Sequence, residues 1–111
     1  IDPENLQQAE SIVMEYQDFT SFSICNTQAK NFICHIAESR WTWKDAYFIY
    51  HVRANRFLRG MVRGLTATML RVGRDKISLK EFRGIIEAKD CTKASFAVPP
   101  DGLFLVSVRY I

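Results

Sequence analysis

The sequence predicts an α+β domain in which an antiparallel sheet is covered on one face by helices. Three observations carry this. The chain opens on a segment with helical apolar spacing, and two neighbouring runs rich in aromatic and β-branched residues follow it. A strongly amphipathic stretch and a capping box then separate those runs from a third that closes the chain. At 111 residues the chain fits one domain, and a chain of this size buries roughly two-thirds of its unfolded surface. With 48% apolar residues and a net charge of only +3, intrinsic disorder is excluded. Arg interrupts every apolar run before it reaches the roughly 18 residues of a membrane span. The start at Ile1-Asp2-Pro3, with no initiator Met and no leader pattern, reads as an excised piece.

Asp2-Pro3-Glu4 supplies an N-cap, a proline at the first helical position and an acid in the first turn. Leu6, Ala9, Val13 and Tyr16 continue at helical spacing, which predicts an amphipathic helix over residues 3–16. Asp18-Phe19-Thr20-Ser21-Phe22 is irregular, its two aromatics expected to plug the core. Residues 31–40 and 45–54 read as two strands of a hairpin. In the second, Phe48, Tyr50 and Val52 share one face, and Tyr47, Ile49, His51 and Arg53 the other. Residues 56–72 predict a helix with Leu58, Met61, Leu65, Met69 and Val72 on its apolar side. Arg56, Arg59, Arg63 and Arg74 form a stripe opposite, with Gly60, Gly64 and Ala67 among them. Two glycines cost such a helix about 1 kcal/mol each relative to Ala, so either close packing of another backbone or the approach of an RNA backbone or a catalytic loop to the Arg stripe must explain them. Gly73 is the expected C-cap. Ser78-x-x-Glu81 opens a short helix to Ala88, with Leu79, Phe82, Ile85 and Ile86 inward. Pro99-Pro100-Asp101-Gly102 is a turn, and Leu103 to Tyr110 the last strand, with Leu103 on the face away from Phe104, Val106, Val108 and Tyr110. The order helix, strand, strand, helix, helix, strand becomes a ferredoxin-like β-α-β-β-α-β unit with an extra helix if one strand, missing here, precedes residue 1.

The charge is unevenly spread. Residues 46–74 contain no acid and six Arg, so the overall +3 is a local +6 against −3 elsewhere. Such a block suits a phosphate-rich partner, and its alternative is a solvated basic helix paired with acids from elsewhere in the fold. Cys25, Cys34 and Cys91 are odd in number and widely spaced, with no C-x-x-C. They read as three reduced, mostly buried thiols of a cytosolic protein, and neither a zinc site nor a disulfide scaffold is expected.

The run Arg53-Ala54-Asn55-Arg56-Phe57-Leu58-Arg59-Gly60-Met61-Val62-Arg63, with Val72-Gly73 beyond it, is unusual. Together with Asp18-Phe19-Thr20-Ser21-Phe22 and Pro99-Pro100-Asp101-Gly102-Leu103-Phe104-Leu105 it resembles the C-terminal half of the bacterial tRNA pseudouridine synthase A family. The resemblance implies a pseudouridine-synthase half domain and an isomerase acting on uridines of the tRNA anticodon stem-loop. It implies no metal or organic cofactor, a homodimeric cytoplasmic enzyme, and no membrane association. It makes Arg63 the arginine that pairs with the catalytic aspartate, and Leu103 a wall of the uracil pocket. Arg53, Arg56 and Arg59 are candidates for tRNA phosphate contacts on charge alone. The family's Arg-Thr-Asp type motif is absent from these residues, so the chain by itself is expected to be inactive. Cys91 stands where an arginine is common, and Glu15 where a glycine often precedes the Asp-Phe segment. Two other readings stand beside this one: a non-catalytic RNA-binding module using the Arg-rich helix, and a dimerisation domain using Gly60-x-x-x-Gly64 and an exposed strand edge.

Overall fold

The computed structural model describes residues 1–98 and 104–111. The predicted turn at residues 99–102 and Leu103, the expected pocket wall, lie outside the described residues. Helix α1 spans Pro3–Val13, and a single 3-10 turn covers Thr20–Phe22. Strands β1 (Ile36–Lys44) and β2 (Tyr47–Ala54) precede helices α2 (Met61–Gly73) and α3 (Leu79–Ala88), and β3 (Phe104–Tyr110) follows. The element order and the α+β class are those expected. The sheet is mixed rather than antiparallel: β1 and β2 form an antiparallel hairpin, but β3 runs parallel to β2 in the order β1-β2-β3. A connection carrying two helices can return to the start of β2, and that is what a parallel neighbour requires.

Local chemistry sets each boundary. The Asp2 carboxylate accepts from the N–H groups of Glu4 (2.9 Å) and Asn5 (3.3 Å), fixing the start of α1. The helix stops at Val13, three residues early, and Tyr16 lies beyond it with its hydroxyl donating to Glu87 (2.7 Å). Residues 31–35 do not join the ladder. They pair with the chain near Asp18 through Phe19 N–H to Phe32 O (2.9 Å) and Cys34 N–H to Gln17 O (2.8 Å). The first strand is therefore displaced toward the C-terminus, and Asp45, at φ 56°, starts the tight connection to Tyr47. Helix α2 begins five residues later than the periodicity predicts, because Gly60 takes a left-handed φ of 77° at its N-cap. Leu58 is nevertheless buried with Met61, Leu65, Met69 and Val72. Arg56 and Arg59 fall outside the helix, so the expected stripe of Arg56, Arg59, Arg63 and Arg74 on one helix is not formed. Gly73 is the buried last residue of α2 rather than its cap, and its carbonyl accepts the Asp2 N–H (2.7 Å). The capping box at α3 is formed as expected, Ser78 and Glu81 each accepting the other's backbone N–H at 3.0 Å.

The core lies between one face of the sheet and the three helices. Trp41 stacks beside Tyr50 (centroids 5.2 Å apart), and its indole N–H donates to the Met69 sulfur (3.5 Å). Phe19 and Phe22 are fully buried, Phe22 edge-on to Phe82, as expected of the Asp18–Phe22 plug. Glu10 is buried on α1, where its carboxylate accepts the Trp41 N–H of edge strand β1 (2.8 Å). Burial pushes that carboxyl above its ordinary range, against the smaller pull of the Trp41 N–H and of Arg40.

The three thiols are not alike. Cys25 and Cys91 form a disulfide across a separation of 66 residues, Cα atoms 5.4 Å apart, and only Cys34 is free and buried. The expectation of three reduced thiols fails because the loop after Phe22 and the segment after α3 meet beside α2, a proximity that sequence spacing does not encode. Closing a loop of this length stabilises the fold by about 4 kcal/mol on the chain-entropy account.

Two predictions follow from the backbone and the buried acid. Gly60→Ala forces a side chain into the left-handed region and brings its Cβ within 2.7 Å of Ile24, so it should cost about 1–3 kcal/mol. Gly84→Ala, in α3 with nothing within 4 Å, should instead gain about 0.5–1 kcal/mol. Urea titrations of both variants check the opposite signs. Because the Glu10 carboxyl titrates above its usual 4.5, the folded chain binds the proton more tightly than the unfolded one, and stability falls as pH climbs through that window. Glu10→Gln keeps an acceptor for Trp41 and should remove the decline, so its Tm relative to the parent rises from acid to neutral pH. Glu10→Ala, measured below the window, should lose about 1–2 kcal/mol.

Candidate nucleic-acid interface

Strand alternation divides the sheet into two chemically different faces. Trp41, Tyr50 and Val52 point into the core, and no helix among the described residues covers the other side. Across that open face the register sets Arg40 beside His51, Lys44 beside Tyr47 and Arg53 beside Arg109. Glu38, opposite Arg53, is the face's acid, and its carboxylate lies 3.3 Å from the Arg40 guanidinium. Among the described residues, four cations thus share this surface with one carboxylate. Setting Arg53 directly beside Arg109 costs stability through like-charge repulsion, which an anionic partner relieves. His51 reports the same field. Burial chiefly holds its imidazole below the ordinary histidine range, with Arg40 and Arg109 adding to that and Glu38 opposing it. In the neutral form it bonds the Thr42 hydroxyl (2.8 Å).

The predicted arginines occupy different places. Arg53 is exposed on the open face. Arg56 is turned inward, its Nη1 donating to the carbonyls of Asn31 and Ile33 (both 3.2 Å) and to the Asn31 side chain (3.0 Å). Arg59 is exposed in the turn just before α2, where its carbonyl accepts the Ile24 N–H (3.0 Å). Arg63 is exposed in the first turn of α2, and its Nε donates to the Phe96 carbonyl (3.0 Å). Arg59 and Arg63 therefore flank Gly60 at one end of α2, Arg53 stands apart on the sheet, and Arg56 serves the 31–33 segment. The two glycines answer to packing: Ile24 lies over Gly60 and the Phe96 ring over Gly64.

Sequence reasoning missed Arg40, Lys44 and Arg109 as members of the basic face. Strand parity alone puts Arg53 and His51 on one side, but only the parallel pairing of β2 with β3 brings Arg109 beside them. A second concave surface, about 260 Å³ between α2 and Ala97-Val98, is lined by Arg71, Arg74 and Lys76 with Ala67 and Leu70. Arg74 also sits 5.7 Å over the Phe104 ring. Among the described residues no cluster of three His, Cys, Asp or Glu side chains is placed to hold a metal ion. No helix among them is long and apolar enough to cross a membrane.

Known proteins match this arrangement over nearly its whole length. The family model described as tRNA pseudouridine synthase matches residues 16–111. A protein of Bacteroides thetaiotaomicron named tRNA pseudouridine synthase A is 43% identical over 99% of this chain and 42% of its own length. Its namesake in Parabacteroides distasonis is 44% identical over 99% of the chain and 44% of its own length. The one in Clostridium acetobutylicum is 36% identical over 95% and 43%. The chain thus spans less than half the length of the curated relatives it matches. With the family model covering all but the first 15 residues, the chain belongs to the tRNA pseudouridine synthase family.

Proposed function

We propose that this chain forms the C-terminal part of an enzyme that isomerises uridine to pseudouridine in the tRNA anticodon stem-loop. Family membership carries the reading, together with the exposed Arg63 in the Arg53–Arg63 motif. The role of Arg63 is to orient and ionise a catalytic aspartate contributed by the part of the enzyme outside this span. A guanidinium can hold a carboxylate through two parallel N–H bonds and favours its charged form. The aspartate adds to the target nucleotide and the bond from ribose C1′ to uracil N1 breaks. The uracil then turns and rejoins C1′ through C5, the aspartate leaves as the free carboxylate, the C5 proton is lost and N1 is protonated. No electrons are gained or lost overall, so the reaction requires no redox cofactor. Leu103 contributes a wall of the uracil pocket, and Arg53 and Arg59 meet tRNA phosphates. Arg56 adds to the basic surface through the part of its guanidinium not bound to the 31–33 segment. The open sheet face extends this surface through Arg40, Lys44 and Arg109. The enzyme works in the cytoplasm as a homodimer, and the β3 edge, with Val106, Val108 and Tyr110 exposed, is available for pairing.

The chain alone, which has no Arg-Thr-Asp type motif, should form no pseudouridine on unmodified tRNA; turnover by the isolated chain would overturn this. In the full-length enzyme Arg63→Lys, which loses the fork, should lower kcat/KM by about a hundredfold with little change in Tm. Single-turnover tritium release from [5-³H]uridine tRNA measures it, and near-parent kinetics would exclude Arg63 from the reaction. Arg53→Gln with Arg109→Gln should weaken tRNA binding and flatten the slope of log K against log salt by about one unit per contact removed. A slope equal to the parent's would place the RNA elsewhere.

The alternative, an RNA-binding module without catalysis, is favoured only by the basic face. It predicts the same salt slope but full indifference of any uridine chemistry to Arg63.

A further inference from the structure

The segment from Cys91 to Val98 lies along α2 and meets it at three points between Arg63 and Thr68. Thr68 Oγ donates to the Ser95 carbonyl (3.2 Å) and accepts the Ser95 N–H (3.1 Å). The Phe96 ring fills the space over Gly64, where a Cβ would come within 2.8 Å of it. The Phe96 carbonyl receives the Nε–H of Arg63. An arginine carries a single N–H on Nε. Committing it to Phe96 leaves the Nη1 and Nη2 pair as the end of the fork that can take a carboxylate bidentately. The other end of the segment is bonded through Cys91 to Cys25. Cys25 follows Ile24, which packs on Gly60 and donates its N–H to Arg59. The disulfide therefore joins the two loops that meet over Gly60 at the start of α2. Cys25 is exposed, within reach of a small dithiol, whereas Cys34 is buried against Met61 and is not placed to exchange with either sulfur.

We propose that the Cys25–Cys91 bridge is a redox-operated latch. Through the 91–98 segment it holds the Phe96 carbonyl on Arg63 Nε and so presents the Nη pair to the catalytic carboxylate. The inference rests on the role of Arg63 given above. Attack by a dithiol breaks the S–S bond and leaves two thiols on the chain, while the dithiol loses two electrons and two protons and closes to its own disulfide. Disulfides in reducing compartments are usually transient and redox-sensing rather than permanent staples, and a bridge set beside a functional arginine suits that use. Reduction leaves the 91–98 segment held by the Asp90 N–H bond to Ser21 and by its contacts with Thr68 and Gly64, so the Phe96 carbonyl leaves Nε more often and the guanidinium turns more freely. Arg63 is then less firmly preoriented.

The test follows the Arg63 Nε–H by ¹⁵N NMR in the full 111-residue chain, oxidised and after dithiothreitol. A Cys25→Ser/Cys91→Ser double variant is measured alongside. Exchange of the Nε–H and of the Ser95 amide should quicken at least tenfold more than that of the β1 and β2 amides, in both the reduced chain and the variant. Unchanged exchange at Arg63 overturns the latch. Exchange at Arg63 and Ser95 that quickens no more than that of the β1 and β2 amides also overturns it, since the bridge would then act only as a general staple of the fold. The readout is a hydrogen bond internal to the chain, so it stands whether or not Arg63 meets a carboxylate, and the Arg63→Lys kinetics answer that separately.

Discussion

Gly60 holds a left-handed backbone at φ 77° immediately before α2, and the surroundings of Arg63 depend on it. A residue with a Cβ is strained there, and its side chain would also collide with Ile24. The sharp turn lets the chain leave β2, cross the end of the sheet through Leu58 and start α2 with Met61 already in the core. It also brings Ile24 and the 91–98 segment within contact of the first turn, because neither Gly60 nor Gly64 presents a side chain to them. The position of Arg63 is thus set by an absence of atoms. Its own helix puts it on the surface, and two neighbouring loops close on the bare backbone beside it.

The same turn explains which parts of the fold were legible in the sequence. Patterns written over consecutive residues read correctly: the Asp2 cap, the Ser78-Glu81 capping box, the inward face of β2 and the apolar side of α2. The start of α2 did not. Apolar spacing continues smoothly from Leu58 through Met61, and periodicity cannot tell a helix from a turn that happens to bury the same side chain. The displaced first strand has a similar cause. Residues 31–35 have strand composition, but their backbone partners lie near Asp18, and a long-range pairing leaves no mark on local alternation. The Cys25–Cys91 bond and the parallel partner of β2 also belong to that class. Of the candidate site, the Arg53–Arg63 run stands out from residue types alone, but its arginines separate onto the sheet, the 31–33 segment and the start of α2 in a way no local pattern encodes. The basic face was only half visible, since parity identifies a face but only the sheet's order identifies its neighbours.

Charge segregation ties the sheet to the reading of function. The core side of β1 and β2 is aromatic and tightly satisfied, with the Tyr50 hydroxyl bonded to Ser39 at 2.7 Å. The opposite side carries charge with little to neutralise it. A single ion pair, Glu38 with the half-exposed Arg40, contributes little in water. That leaves Arg53, Arg109 and Lys44 as uncompensated positive potential on a rigid surface. Positive charge fixed on a hydrogen-bonded sheet keeps its spacing, whereas the same residues on a loop lose more freedom when they meet an anion. The cost of crowding Arg53 against Arg109 is thereby met once, on folding, and the surface is already arranged for any anion that meets it.

Glu15 and Cys91, at positions where the resemblance implies other residues, are both tied to distant parts of the chain. Glu15 receives a bidentate contact from Arg83 (3.0 and 2.9 Å), which spans the gap between the end of α1 and α3. Those hydrogen bonds hold the Glu15 carboxyl below its ordinary range. Cys91 is bonded to Cys25, on the far side of α2 in sequence. The two links differ in kind. The Glu15–Arg83 pair is solvent-exposed, weak and responsive to salt, so it sets an orientation without anchoring one. The disulfide is covalent and responds to redox conditions alone. A glycine in place of Glu15 gives up only the first. An arginine in place of Cys91 leaves Cys25 without its partner and the 91–98 segment held only by Phe96, Ser95 and the Asp90 N–H bond to Ser21 (3.0 Å). In a relative with that substitution, the orientation of the Arg63 counterpart rests on those contacts and has no covalent control.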